Sequence, residues 1–161
     1  MNKSSRKTTL LAILIPLAIG GFSYFLTKDN MNLYQEITTP PLAPPGFLFP
    51  IVWTILYILM GISSARIYTL GKNRNLAEPV FDALYVYGLQ LFLNFTWSIF
   101  FFNMRAFLFA FLWILLLWAG ILLMIVKFYK LDRLAAYLQI PYLLWVTFAT
   151  YLTFAIFRLN S

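Results

Sequence analysis

The sequence predicts an all-α membrane protein, a bundle of five transmembrane helices. Three observations carry this. Of 161 residues, 62% are hydrophobic and 11% charged, whereas soluble domains are about half apolar and a quarter charged. Five apolar runs approach or exceed the roughly 20 residues a helix needs to cross a bilayer, at about 9–26, 47–69, 80–102, 106–126 and 134–157. The charged residues sit at the ends of these runs and not inside them. One domain, residues 1–161, accounts for the chain, with no repeat, low-complexity segment or second domain.

The first run follows Lys3, Arg6 and Lys7, as a signal peptide would. Its apolar stretch is longer than a typical signal core, and no A-x-A-like site precedes the next segment, so it is expected to stay as a helix. Residues 27–46 then form a lid. Pro40, Pro41, Pro44 and Pro45 fall within six positions. Proline lacks the backbone donor and fixes φ, so this stretch makes neither helix nor central strand. The whole lid is expected to be rigid and non-helical. A connection that long in a small bundle is usually functional, which makes it the first place to look for a ligand.

The third and fourth runs are joined only by Asn103-Met104-Arg105, so they must be antiparallel neighbours. In the fifth, Pro141 should free the carbonyl of Tyr137 and kink the helix. Five spans put the termini on opposite sides. Nine basic residues (Lys3, Arg6, Lys7, Arg66, Lys72, Arg74, Lys127, Lys130, Arg133) share one side, and Lys28, Arg105 and Arg158 the other. Cytoplasmic loops carry the basic excess. The N-terminus is therefore expected inside, with the lid and C-terminus outside.

Composition also excludes chemistry. The chain has no Cys and no His, which removes thiolate catalysis, Cys/His zinc sites, the usual haem ligands and Ser-His-Asp machinery. The net charge of +7 does not point to nucleic acid, because the basic residues mark span ends and form no soluble basic face. The five acids, Asp29, Glu36, Glu78, Asp82 and Asp132, all avoid the middle of a span. Proton-driven export needs a membrane-buried charge, and none is present.

What lies at membrane depth is neutral and aromatic. Tyr87, Gln90, Asn94, Trp97 and Ser98 share one face of the third helix. Trp53, Tyr57 and Ser64 share a face of the second, with Gly61 among them, and Tyr137, Pro141, Trp145 and Ala149 recur every four residues in the fifth. Such stripes can be helix-packing groups. They can also wall a flat pocket, open under the lid, that suits a planar conjugated ligand. Trp113 and Trp118 have no polar companions in the sequence and read as lipid-facing or interfacial anchors. Gly61/Ala65 and Ala106/Ala110 are small pairs that allow close helix approach, within the chain or between copies.

Three stretches together resemble one family. They are Pro-Pro-Leu-Ala-Pro-Pro-Gly-Phe (40–47) with the helix through Trp53, Tyr57 and Gly61; Gln-Leu-Phe-Leu-Asn-Phe-Thr-Trp-Ser (90–98); and Pro-Tyr-Leu-Leu-Trp-Val-Thr-Phe-Ala (141–149). In this order across five spans they are similar to the TspO/MBR family, the translocator proteins once called peripheral-type benzodiazepine receptors, and to its bacterial members. The resemblance implies a five-helix homodimer in a bacterial cell membrane, in contact with membrane lipids. It implies a pocket near the lid for porphyrins and other tetrapyrroles, and for isoquinoline or benzodiazepine ligands, with no cofactor required. Animal members bind cholesterol, and some bacterial members degrade protoporphyrin in light. By resemblance, Trp53 and Trp145 are the pocket tryptophans, and Asn94 and Trp97 its third-helix positions. Tyr34 is an aromatic from the lid, and Tyr57 and Ala149 complete the wall; Ser98 on the third-helix face and Pro44 and Pro45 of the lid are expected to bind the ligand as well.

The chain departs from the family pattern at Leu42, Thr39 and Leu33, where an aromatic, a cation and a tryptophan are common. This lid has fewer stacking groups and one fewer cation for a propionate, so weaker porphyrin affinity is expected. A sterol-type pattern, Val126…Tyr129…Arg133, falls in a loop; patterns of this kind are weak, and no sterol function is read from it. The leading expectation is a membrane receptor or sensor for tetrapyrroles. The rivals are a photo-oxidative enzyme with Trp53 and Trp145 as electron donors, and a passive transporter or structural partner.

Overall fold

The computed structural model describes residues 3–72 and 74–161. These are helical almost throughout, with seven α-helices among them: α1 (Lys3–Thr27), α2 (Leu33–Glu36), α3 (Leu48–Leu70), α4 (Ala77–Ser98), α5 (Phe107–Leu131), α6 (Arg133–Tyr137) and α7 (Ile140–Asn160). Five helical segments are long and apolar enough to cross a membrane, the last comprising α6 and α7. The long helices form a bundle in which α1 packs on α3 and α4, α4 on α5, and α5 on α7. Most large apolar side chains on the outer faces are exposed. That is the expected state where lipid is the solvent and polar backbone is satisfied within each helix.

Two glycines set how closely α1 meets α3. Gly61 lies flat on the backbone of α1; a Cβ there would sit 2.3 Å from Ile13 Cα and 2.8 Å from the carbonyl of Ala12. Pro16 has no N–H to give that carbonyl its helical partner, so the contact falls where α1 is most open. Reciprocally, the ring of Tyr57 occupies the space a Cβ on Gly20 would need, at 2.2 Å. Gly61, Ala65 and Ala110 are all buried inside the single chain, so packing within the chain takes up these small residues.

The fifth run is interrupted at Leu138 and Gln139, where the sequence expects a kink, and still counts as one span, Arg133–Asn160. α6 ends at Tyr137 and α7 begins at Ile140 with Pro141 in its first turn, a position where the missing donor is harmless. Asp132 caps α6, accepting from the N–H groups of Leu134 (2.9 Å) and Ala135 (3.2 Å). It also pairs with Arg66 at 2.7 Å, and Lys127 pairs with Asp82 at the same end of the bundle. At the other end α4 closes in a π turn, Ile99–Asn103. Arg105 then takes φ 50, a left-handed conformation that costs a non-glycine residue roughly 1 kcal/mol. A tight turn, with Phe107 N–H donating to the Arg105 carbonyl at 3.0 Å, leads into α5.

Candidate functional site

The lid is not irregular throughout. Lys28–Asn30 is a 3-10 turn and α2 is a full helical turn. Leu33 is fully buried, and its contacts with the core fold this segment. The proline half is non-helical, as expected, with a turn closed by the Ala43 N–H on the Pro40 carbonyl at 2.9 Å. Pro44 is half-buried and Pro45 exposed, and the Pro45 carbonyl accepts from Leu48 N–H at the start of α3.

Three sets of polar contacts pin the lid to the bundle. Asn30 Nδ2 donates to Asn103 Oδ1 at 2.9 Å, and Asn103 Nδ2 to the Leu26 carbonyl at 3.0 Å. Arg105 pairs with Glu36 at 3.0 Å. Thr38 and Asn160 exchange two hydrogen bonds, each of 2.9 Å. The lid is thus fastened to the α4–α5 link and to the end of α7. Nothing in the local pattern around Asn103 or Asn160 reveals this, because both partners lie across long separations.

Beneath the lid an aromatic series links its elements. Tyr34 of α2 meets Phe49 edge-on (5.4 Å, 76°), and Phe49 meets Trp145 of α7 (5.8 Å, 70°). Trp53 lies against Tyr57 (5.5 Å) and edge-on to Tyr142 (6.1 Å). Asn94 Nδ2 donates to Tyr57 Oη at 3.4 Å. The structure therefore brings Trp53, Tyr57 and Asn94 together and joins Tyr34 to Trp145 through Phe49. Trp97 packs on Phe101 (5.3 Å) and Phe102 (6.5 Å). Ala149 is buried on α7, and Ser98 is partly exposed where α4 meets the π turn. Phe49 and Tyr142 are the site residues the sequence stripes missed. Tyr142 is fully buried and donates to Gln90 Oε1 at 2.7 Å; being next to Pro141 it falls outside the four-residue repeat.

These rings meet edge-on or tilted, and Trp53 and Trp145 stay partly exposed. Tyr34 Oη, Trp97 Nε1 and Trp145 Nε1 are buried and make no hydrogen bond. An indole N–H can only donate, and a buried unpaired donor costs about 1–3 kcal/mol. Burial also raises the pKa of Tyr34, which keeps its hydroxyl protonated as a donor.

Trp113 and Trp118 are not free anchors. Trp113 Nε1 donates to the Leu93 carbonyl (3.0 Å) and Thr96 Oγ1 (2.9 Å), clasping α5 to α4. Trp118 Nε1 donates to Thr147 Oγ1 at 2.8 Å, clasping α5 to α7. Their partners are on other helices, so the sequence around each tryptophan shows none.

The fold defines an integral, multi-pass membrane protein, with clusters of aromatic rings and a lid pinned to the bundle. The chain belongs to the TspO/MBR family, whose model matches residues 12–159. It is 39% identical to the tryptophan-rich protein TspO of Chlorobaculum tepidum over 161 residues, covering 99% of each chain. It is 35% identical to the tryptophan-rich sensory protein of Cereibacter sphaeroides over 127 residues, 79% of this chain and 76% of that protein. It is 32% identical to the human translocator protein over 139 residues, 86% of this chain and 80% of that protein.

Proposed function

We propose that this protein is a membrane receptor or sensor for porphyrin-type tetrapyrroles, which it binds among the rings beneath the lid. The carrying observation is that Tyr34 Oη, Trp97 Nε1 and Trp145 Nε1 are buried donors without hydrogen bonds, set among aromatic rings with Asn94 and Gln90 nearby. Such a set suits a flat conjugated ligand with peripheral acceptor oxygens, as in a porphyrin carrying propionates. Isoquinoline or benzodiazepine carbonyl ligands meet the same description. The sensory name of the Cereibacter sphaeroides relative supports the receptor reading. The working form is a homodimer in a bacterial cell membrane, with the N-terminus cytoplasmic.

Titration of protoporphyrin into the protein in nanodiscs tests this. Trp145→Phe should weaken binding roughly tenfold through the lost stacking area and donor. Trp113→Phe should lower thermal stability by breaking a helix clasp and leave affinity unchanged. Equal loss of affinity in the two variants would refute the site.

A second reading is photo-oxidation of bound porphyrin, with the porphyrin as sensitiser and oxygen as oxidant. It draws support from Trp53, which lies in a run of redox-capable rings with Tyr57 and Tyr142. Illumination with protoporphyrin under oxygen separates the two. A new absorbing product that requires Trp53 and Trp145 favours the enzyme; unchanged porphyrin favours the receptor.

A further inference from the structure

Helix α4 carries two amides one turn apart, Gln90 and Asn94, and each holds a tyrosine of another helix. Tyr142 of α7 donates to Gln90 Oε1 at 2.7 Å. Asn94 Nδ2 donates to Tyr57 Oη of α3 at 3.4 Å. The Trp53 ring touches both tyrosines, with centroids 5.5 Å from Tyr57 and 6.1 Å from Tyr142. Three helices therefore meet on one indole. Trp145 stands three residues beyond Tyr142 and shares its face of α7. The two bonds are unequal. The Tyr142 bond has the usual O–H···O length, whereas the Asn94 contact is longer than the usual N–H···O range. The first is a fixed strut, and the second can yield to a ligand.

Stability alone does not account for Gln90. It is 0% exposed and Tyr142 is 1% exposed, and Gln90 is the midpoint of the span Ala77–Asn103. No water is available at that depth, and Gln90 Nε2 makes no hydrogen bond. Replacing both partners of a buried hydrogen bond by apolar groups is nearly neutral or stabilising, so two apolar side chains would serve the fold as well. What the amide adds is direction. Apolar faces slide on one another, whereas a satisfied buried polar contact specifies one arrangement. Helices α4 and α7 both pack on α5, and this bond ties them directly to each other.

We infer that Gln90 and Tyr142 are a positioning pair for the aromatic site, fixing the wall of Tyr142 and Trp145 against Trp53 so that the site selects a flat macrocycle over a puckered one. The inference rests on the tetrapyrrole reading above. A wall already held in place loses little freedom when a ligand enters, which favours binding. The same wall cannot move aside for a ring out of plane. Free-base porphyrins are flat. Methylation of one pyrrole nitrogen tilts that pyrrole out of the plane and leaves the rim carboxylates as they were. The two ligands therefore report wall spacing and not rim chemistry.

Titrations of protoporphyrin and N-methylprotoporphyrin into the full-length protein in nanodiscs test this. The parent should prefer the flat ring by roughly tenfold, the scale of one overpacked group. The double variant Gln90→Leu/Tyr142→Phe should melt at or above the parent. It should nevertheless bind protoporphyrin roughly threefold to tenfold more weakly, the scale of one hydrogen bond, and lose most of the preference. Each single variant should lose as much affinity as the double, because either one breaks the same bond. The inference is overturned if the parent binds the two porphyrins alike, or if the double variant keeps the parent's affinity and preference. It is equally overturned if affinity falls only in step with melting temperature, which would make the pair a packing element. Trp145→Phe separates this failure from failure of the site. If that variant weakens protoporphyrin binding and the double variant does not, the site stands and the positioning role falls. If Trp145→Phe leaves protoporphyrin binding unchanged, the tetrapyrrole reading fails and this inference fails with it.

Discussion

Tyr34→Phe separates a ligand donor from a structural group. The substitution removes one oxygen and leaves the ring, so the edge-on contact with Phe49 and the onward contact to Trp145 persist. The deleted hydroxyl is buried without a partner. Its removal relieves a desolvation penalty of about 1–3 kcal/mol, so the empty protein should melt higher by a few degrees at roughly 2–4 °C per kcal/mol. A ligand that accepts from this hydroxyl loses a bond of about 0.5–1.5 kcal/mol, a twofold to tenfold weakening. Stability and affinity therefore move in opposite directions. The alkaline limb supplies an independent sign. Burial raises the Tyr34 pKa, so the stability from keeping it neutral is fully present below about pH 10. That stability is lost as pH rises from there through the raised folded value, and Tyr34→Phe should flatten this loss. Thermal melts and protoporphyrin titrations on the same preparations provide the readout. A variant that is less stable yet binds unchanged would show that the hydroxyl has a structural partner, and the donor argument would fail.

Other outcomes follow from the same geometry. Cutting the lid fastenings with Glu36→Gln or Asn160→Ala should speed ligand release severalfold in stopped-flow while shifting the empty protein's melt little, since the Arg105–Glu36 pair is exposed and worth under about 1 kcal/mol; unchanged release would make the lid a scaffold. Gly61→Ala should destabilise by about 1–3 kcal/mol through overpacking, because its Cβ would lie 2.3 Å from Ile13 Cα; a melt within error of the parent would mean α1 is free to shift. Reporter fusions at Ser161 and within the α3–α4 loop should score on opposite membrane faces, the loop inside, and matching scores would contradict the five-span topology.

The spans were legible because hydropathy over some 20 residues is a strong signal with no tertiary component. The tryptophans were legible as types and only partly as roles. Trp53 and Trp145 stand in stripes with polar neighbours, and the structure places both among the rings below the lid. Trp113 and Trp118 carry no local cue, since the oxygens they bond belong to α4 and α7. The four-residue helix α2 was illegible because so short a segment cannot persist on propensity, and the burial of Leu33 makes it. Pro141 marked the place where the helix of the fifth span is interrupted.

The most direct test of the central claim is a structure of the protein with protoporphyrin bound in a lipid environment. The account predicts the macrocycle among Trp53, Trp97 and Trp145, beneath the lid, with its oxygens within hydrogen-bond distance of Tyr34 Oη and the Trp145 indole N–H. A macrocycle lying between α1, α3 and α4, with those donors still unpaired, would contradict it.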